Sequence, residues 1–139
     1  MGENHRFNIR IYGLCLKDTQ LLTLHELYVG KKLVKLPGGG LEFGEGAVAC
    51  LKREFLEELN LKIENVAHFY TQEGFVQSLF NPNEQLFTVY YTCTILNESE
   101  LEILEPSIEK TEWISLKKEN PFQLPVDIKV FELLKLKCL

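Results

Sequence analysis

Apolar and polar positions follow two different periods along the chain, and the switches between them outline its elements. In RFNIRIYGLCL (6–16), Phe7, Ile9 and Ile11 fall on one side and Asn8, Arg10 and Tyr12 on the other. That alternation predicts a strand. A turn at KDTQ leads to a second strand, LLTLHELYV (21–29), and KKLVKL (31–36) predicts a short third one, interrupted by PGGG (37–40). The period then becomes helical, and a helix is expected from just after Gly46, its N-cap, to near Leu59. Two β-rich runs, HFYTQEGFVQSLF (68–80) and EQLFTVYYTCTIL (84–96), flank NPN and predict a long hairpin. EKTEWISL (109–116) reads as a last strand with Trp113 in the core, and PVDIKVFELLKLK (125–137) as an amphipathic C-terminal helix. Strands with interspersed helices, several of them hairpin-linked, predict an α/β fold: a mixed β-sheet flanked by helices in an α/β/α sandwich.

Composition narrows the function classes. The 139 residues suit one domain spanning 1–139. Apolar residues at 45% and charged residues at 25% are ordinary for a soluble protein. A formal net charge of -5 argues against nucleic acid or an anionic membrane as the main partner, since both need basic patches. Small nucleotides stay open, because they need only a local positive centre. Cys15, Cys50, Cys93 and Cys138 form no C-x-x-C pair and read as reduced thiols. MGENHRFN lacks the apolar core of a signal peptide, and no apolar run approaches the roughly 20 residues that span a bilayer. A cytoplasmic location is expected. His5, His25 and His68 show no partner pattern.

The chemistry concentrates in REFLEELNL (53–61), which sets Glu54, Glu57 and Glu58 within five residues. At about 100° per residue, Val48, Phe55 and Leu59 form the expected core stripe, with Leu51 at its margin. The three acids occupy the adjacent arc. Arg53 pairs with Glu57 at i+4, leaving Glu54 and Glu58 without a cationic partner on the helix. A Glu-rich helix face is most often simply solvated. These acids flank the core stripe instead of opposing it, so they line a groove between helix and sheet, where clustered oxygen ligands suit Mg²⁺ or Mn²⁺. The preceding LPGGGLEFGEG holds five glycines in eleven residues, a loop whose backbone can approach a ligand closely.

Taken together, Gly39 to Leu61 resembles the Nudix box of the MutT-like Nudix hydrolases, G-x5-E-x7-R-E-U-x-E-E-x-G-U, with U a bulky apolar residue. Gly39, Glu45, Arg53, Glu54, Glu57 and Glu58 match in type and spacing. Chance agreement at six positions is on the order of one in ten million per start site. Asn60 stands where the family has glycine, and Phe55 is larger than the usual aliphatic residue. Asparagine is the next-best residue for the left-handed conformation past a helix C-terminus, so Asn60 is expected to serve as the C-cap.

The resemblance implies an enzyme that hydrolyses a nucleoside diphosphate linked to another group, with Mg²⁺ or Mn²⁺ as cofactor. By the same carry-over Glu54, Glu57 and Glu58 are metal ligands, and Gly38 offers its carbonyl. Arg53 orients the glutamates, and Glu45 fixes the junction between loop and helix. The general base is either Glu54 or an acid of the later loop, Glu105, Glu109 or Glu112, with Glu109 the first choice. Lys35 is placed to contact phosphate beside Gly39, and Phe80, Asn81 and Phe87 to form a base-binding wall. Phe75 and Val76 stand where some subfamilies carry a proline or tyrosine marker, so neither marker is evident. The short chain resembles the compact MutT-type group acting on nucleoside triphosphates. The resemblance also allows a homodimer. The rival reading is a Nudix module that senses nucleotides without turnover, but such modules usually lose box acids and this chain keeps them. A Ca²⁺-binding structural role lacks the D-x-D-x-D-G loop.

Overall fold

The structure, a computed structural model, describes residues 4–139. Its centre is β1 (Arg6–Lys17). This strand runs parallel to β7 (Glu84–Ile95), in register from Arg6 opposite Glu84 to Cys15 opposite Cys93. On its other side it pairs antiparallel with β4 (Gly38–Gly40). A tight hairpin joins it to β2 (Gln20–Tyr28), which pairs with both β3 (Lys31–Lys35) and β8 (Ile108–Ser115). Antiparallel to β7 lie β5 (Ile63–Thr71) and the two-residue β6 (Val76–Gln77). The helices are α1 (Ala47–Leu59) and α2 (Pro125–Cys138).

Strand alternation distributes two cores over the two faces of this mixed sheet. Ile11 and Cys15 of β1 and Leu22 and Leu24 of β2 pack with Cys50, Leu51, Phe55 and Leu59 of α1. The intervening Tyr12, Leu14 and Leu21 pack with Val130, Phe131 and Leu134 of α2. Each of Leu51, Phe55 and Leu59 is fully buried. Each such side chain contributes about 1.5–3 kcal/mol. The expected α/β/α arrangement is therefore the one present.

Local details differ from the expectation. The core stripe of α1 is Leu51, Phe55 and Leu59 at i, i+4 and i+8, together with Cys50; Val48 is 39% exposed. In the first turn the sheet-facing position belongs to Cys50, whose thiol lies 3.5 Å from the Gly40 carbonyl oxygen. The glycine run is more than an interruption: Gly38, Gly39 and Gly40 pair with Tyr12, Ile11 and Arg10. The first arm of the long hairpin starts earlier, at Ile63, and breaks after Thr71. Gln72 turns inward there. Its Oε1 accepts the Thr88 N–H at 3.0 Å, and its Nε2 donates to the Gly74 and Leu86 carbonyls. A side-chain amide thus replaces ladder bonds that the strand would otherwise make. Asn60 caps α1 as expected, at φ 57°, with its N–H on the Leu56 carbonyl.

Candidate active site

The site is built where the last two turns of α1 lie against β4. The Gly38 N–H donates to Glu58 Oε1 at 3.1 Å. The Glu54 carboxylate lies over Gly39, so close that a Cβ there would stand 2.5 Å from its carboxyl carbon. Side-chain-free backbone at Gly39 is what lets Glu54 reach the strand.

Arg53 holds the loop and the helix together. Its Nε and Nη2 grip Glu45 at 3.1 and 2.7 Å, and Nη2 also donates to the Gly40 carbonyl at 3.0 Å. Its Nη1 reaches Glu54 at 2.9 Å and Glu57 at 3.0 Å. The i+4 pairing with Glu57 is present, but the same planar fork also holds Glu54, which helical spacing had left without a cationic partner, together with Glu45 and, at 3.6 Å, Glu42. The hydrogen bonds from Arg53 hold the Glu45 carboxyl down at about 2, with help from the Glu42 N–H.

The box acids are held differently. Burial pushes Glu58 up to about 8, and the neighbouring charges of Glu54 and Glu26 add to the rise while the Gly38 N–H opposes it. Burial likewise raises Glu54, against the pull of Arg53. Glu57 is the exposed member, with 55% of its side chain accessible. Among the described residues no three acids close into a ready-made metal cage. The donor chemistry nevertheless fits a hard divalent cation: oxygen-only ligands, two of them packed at a cost that positive charge would relieve. Glu54, Glu57 and Glu58 are the residues that could hold it. Gly38 engages the cluster through its amide, which donates to Glu58.

Beyond Glu58 opens a cavity of about 660 Å³, the size of a small-molecule site. Gly38, Lys35, Phe80 and Asn81 line it together with Glu58. Lys35 Nζ lies 3.5 Å from Oε1 of the buried Glu26 and 5.2 Å from the centre of the Tyr28 ring. Gly39 underlies Glu54 and does not reach the cavity wall. Two expected residues fall elsewhere. Phe87 pairs with Ile9 and shares the parity of Val89, which packs against the α1-side core; the cavity side of β7 carries Glu84 and Leu86. Glu109 is exposed at a register shift between β2 and β8, whereas Glu105, four residues earlier, lines the cavity. Glu112 Oε1 accepts a hydrogen bond from His25 Nε2 at 2.7 Å, away from the cavity.

Several cavity residues escaped the motif-based reading. Arg6, Asn8, Arg10 and Tyr12 form one continuous polar face of β1, and Arg10 Nε donates to Tyr12 Oη at 2.7 Å. The alternation of RFNIRIY already marked this face. Its meeting with β7 was invisible.

The NUDIX domain profile matches residues 4–134 of the chain. The MutT NUDIX hydrolase of Burkholderia pseudomallei superimposes with a TM-score of 0.76 at 18% identity, covering 91% of this chain and 96% of its own. A NUDIX hydrolase of Nitrosomonas europaea gives the same score and identity, covering 91% and 87%. The MutT protein of Methanosarcina mazei Go1 gives 0.71 at 16% identity, covering 98% of each chain. With the box at Gly39–Leu61 and a profile match over almost the whole chain, this protein belongs to the Nudix family, hydrolases of pyrophosphate bonds.

Proposed function

We propose that the protein is a metal-dependent nucleotide pyrophosphohydrolase whose substrates are of the MutT type, nucleoside triphosphates. The observation that carries this reading is the position of Glu58: a half-buried box acid, held by the Gly38 amide, at one end of a nucleotide-sized cavity. Glu54, Glu57 and Glu58 would hold Mg²⁺ or Mn²⁺. When bound, the cation supplies charge neutralisation and Lewis-acid polarisation for a diphosphate. Arg53 keeps the box carboxylates oriented through its contacts with Glu45, Glu54 and Glu57. Lys35 and Arg10 bring positive charge to the cavity wall beside Glu58, where phosphate oxygens need it. Glu105, the later-loop acid on that wall, takes the proton of the attacking water at its carboxylate. Phe80 and Asn81 form part of the wall for the base.

The test is release of phosphate or pyrophosphate from a nucleotide panel at mildly alkaline pH, with Mg²⁺ and with Mn²⁺. The panel holds ordinary and oxidised dNTPs, ADP-ribose, nucleotide sugars and dinucleoside polyphosphates, with Glu57→Gln as control. Turnover of triphosphates by the wild type and not by Glu57→Gln is expected. Metal binding without turnover of any compound would instead favour a nucleotide sensor.

A further inference from the structure

At the far end of the cavity from the box acids stands a second built group. Glu84 opens β7 opposite Arg6, and its side chain is only 13% exposed. Asn8 Nδ2 donates to its Oε1 at 3.1 Å, and Arg6 Nε donates to its Oε2 at 3.0 Å. A carboxylate offers about four acceptor directions, and these two donors use two of them, one on each oxygen. The Asn8 amide also keeps a second N–H. All three side chains line the cavity. Gly38, which holds Glu58, pairs with Tyr12, six residues along β1 from Arg6. That is about 20 Å at the rise of a strand, with side chains reaching inward from both ends and Arg10 between them. Leu86 and Phe80 give the same end apolar surface, and the Phe80 ring meets Tyr28 edge-on at 4.6 Å.

We propose that Glu84, fixed by Asn8 and Arg6, selects guanine as the base of the nucleotide substrate. This rests on the nucleotide reading above and adds the base to it. Along the wall the order is Asn8 N–H, Glu84 Oε1, Glu84 Oε2: one donor followed by two acceptors. The Watson–Crick edge of guanine presents the complement in the same order, the O6 acceptor followed by the N1–H and N2–H donors. Adenine and cytosine each turn a ring-nitrogen lone pair toward the carboxylate, and uracil places a carbonyl beside its single N–H. Each leaves a half-buried anion facing an acceptor, the arrangement that hydrogen-bonding sites reject most strongly. Hypoxanthine keeps O6 and N1–H but lacks the 2-amino group, so it isolates the contribution of Oε2.

The experiment compares kcat/KM for GTP, ITP, ATP, CTP and UTP in the wild type and in Glu84→Gln, with Mg²⁺. Calorimetric Kd values for GDP, IDP and ADP, and a circular dichroism melt of the variant, accompany it. The wild type is expected to favour GTP over ATP by about a hundredfold or more, and over ITP by about tenfold. In Glu84→Gln both ratios shrink by about tenfold or more, because an amide presents only one acceptor in place of two. Nucleotide turnover with no guanine preference, or an unchanged GTP-to-ITP ratio in a folded Glu84→Gln, overturns the assignment and leaves the pyrophosphohydrolase reading standing. Neither turnover nor binding of any of these nucleotides overturns both.

Discussion

Substituting alanine for Gly39 and, separately, for Gly38 divides the chemistry of the site from the stability of the fold. A Cβ at Gly39 would lie 2.5 Å from the Glu54 carboxyl carbon and Oε2, and 2.8 Å from Oε1. Ordinary carbon contacts are about 3.5–4.0 Å, so the carboxylate must retreat by about 1 Å. What it displaces is the tip of a side chain, so the fold loses no more than about 1 kcal/mol, the cost of a shifted rotamer. The acid, however, leaves its 2.9 Å contact with Arg53 and its place beside Glu58. A misplacement of that size costs about a hundredfold in rate. Gly38 is different. It sits at φ +140°, and a Cβ would overlap the Ile11 carbonyl oxygen and come within 2.8 Å of Tyr12 Cα. Both neighbours are backbone of the central strand, so β4 must detach, at a cost of about 3 kcal/mol. For a chain of this length that lowers Tm by about 10 °C. Thermal melts by circular dichroism, together with kcat/KM on the best substrate of the panel, read both effects. Gly39→Ala should melt near the wild type with about a hundredfold less activity, and Gly38→Ala should melt well below it. If Gly39→Ala hydrolyses at the wild-type rate, or melts as low as Gly38→Ala, the account of how the glycines admit Glu54 is wrong.

Two further outcomes follow from named contacts. Burial raises the Asp127 carboxyl to about 6, against the hydrogen bond it accepts from Tyr90 Oη. The neutral acid therefore favours the fold below its unfolded value near 4, and that contribution is lost as pH rises through about 6. Asp127→Asn should gain on the wild type by up to about 3 kcal/mol between acidic and neutral pH in urea unfolding; parallel pH curves would exclude this. Arg53→Lys keeps the charge but cannot reproduce the grip on Glu45, Glu54, Glu57 and the Gly40 carbonyl. Metal affinity, measured by Mn²⁺ titration, should fall about 10- to 100-fold, and wild-type affinity would show that the fork is dispensable.

Much of the site lay in the linear order. REFLEE needs only helical geometry to gather its acids, and a glycine loop of set spacing to reach them. Asn60 needs only its own tolerance of the left-handed region. The helix and its cap depend on neighbours within about one turn, which the chain itself provides, whereas the glycine loop meets Glu58 across 20 residues of chain. Val48 shows the limit even there: helical periodicity could not tell that Cys50 would take the sheet-facing place in the first turn, because that place is set by the carbonyls of Gly39 and Gly40.

The linear sequence determined the fold class, the helix that carries the acids, its cap and the box itself, because these follow from periodicity and from contacts close in sequence. Only the tertiary structure decided what those acids face. The parallel pairing of β1 with β7 joins residues 78 positions apart, Arg6 with Glu84, and no local pattern specifies such a register. That one pairing turned the polar face of β1 into a cavity floor, sent Phe87 to the opposite face and brought Glu84 beside Asn8. That Glu105 and not Glu109 lines the cavity depended on where the chain enters β8. Side-chain parity is local, but which face becomes a binding site depends on what the sheet places above it.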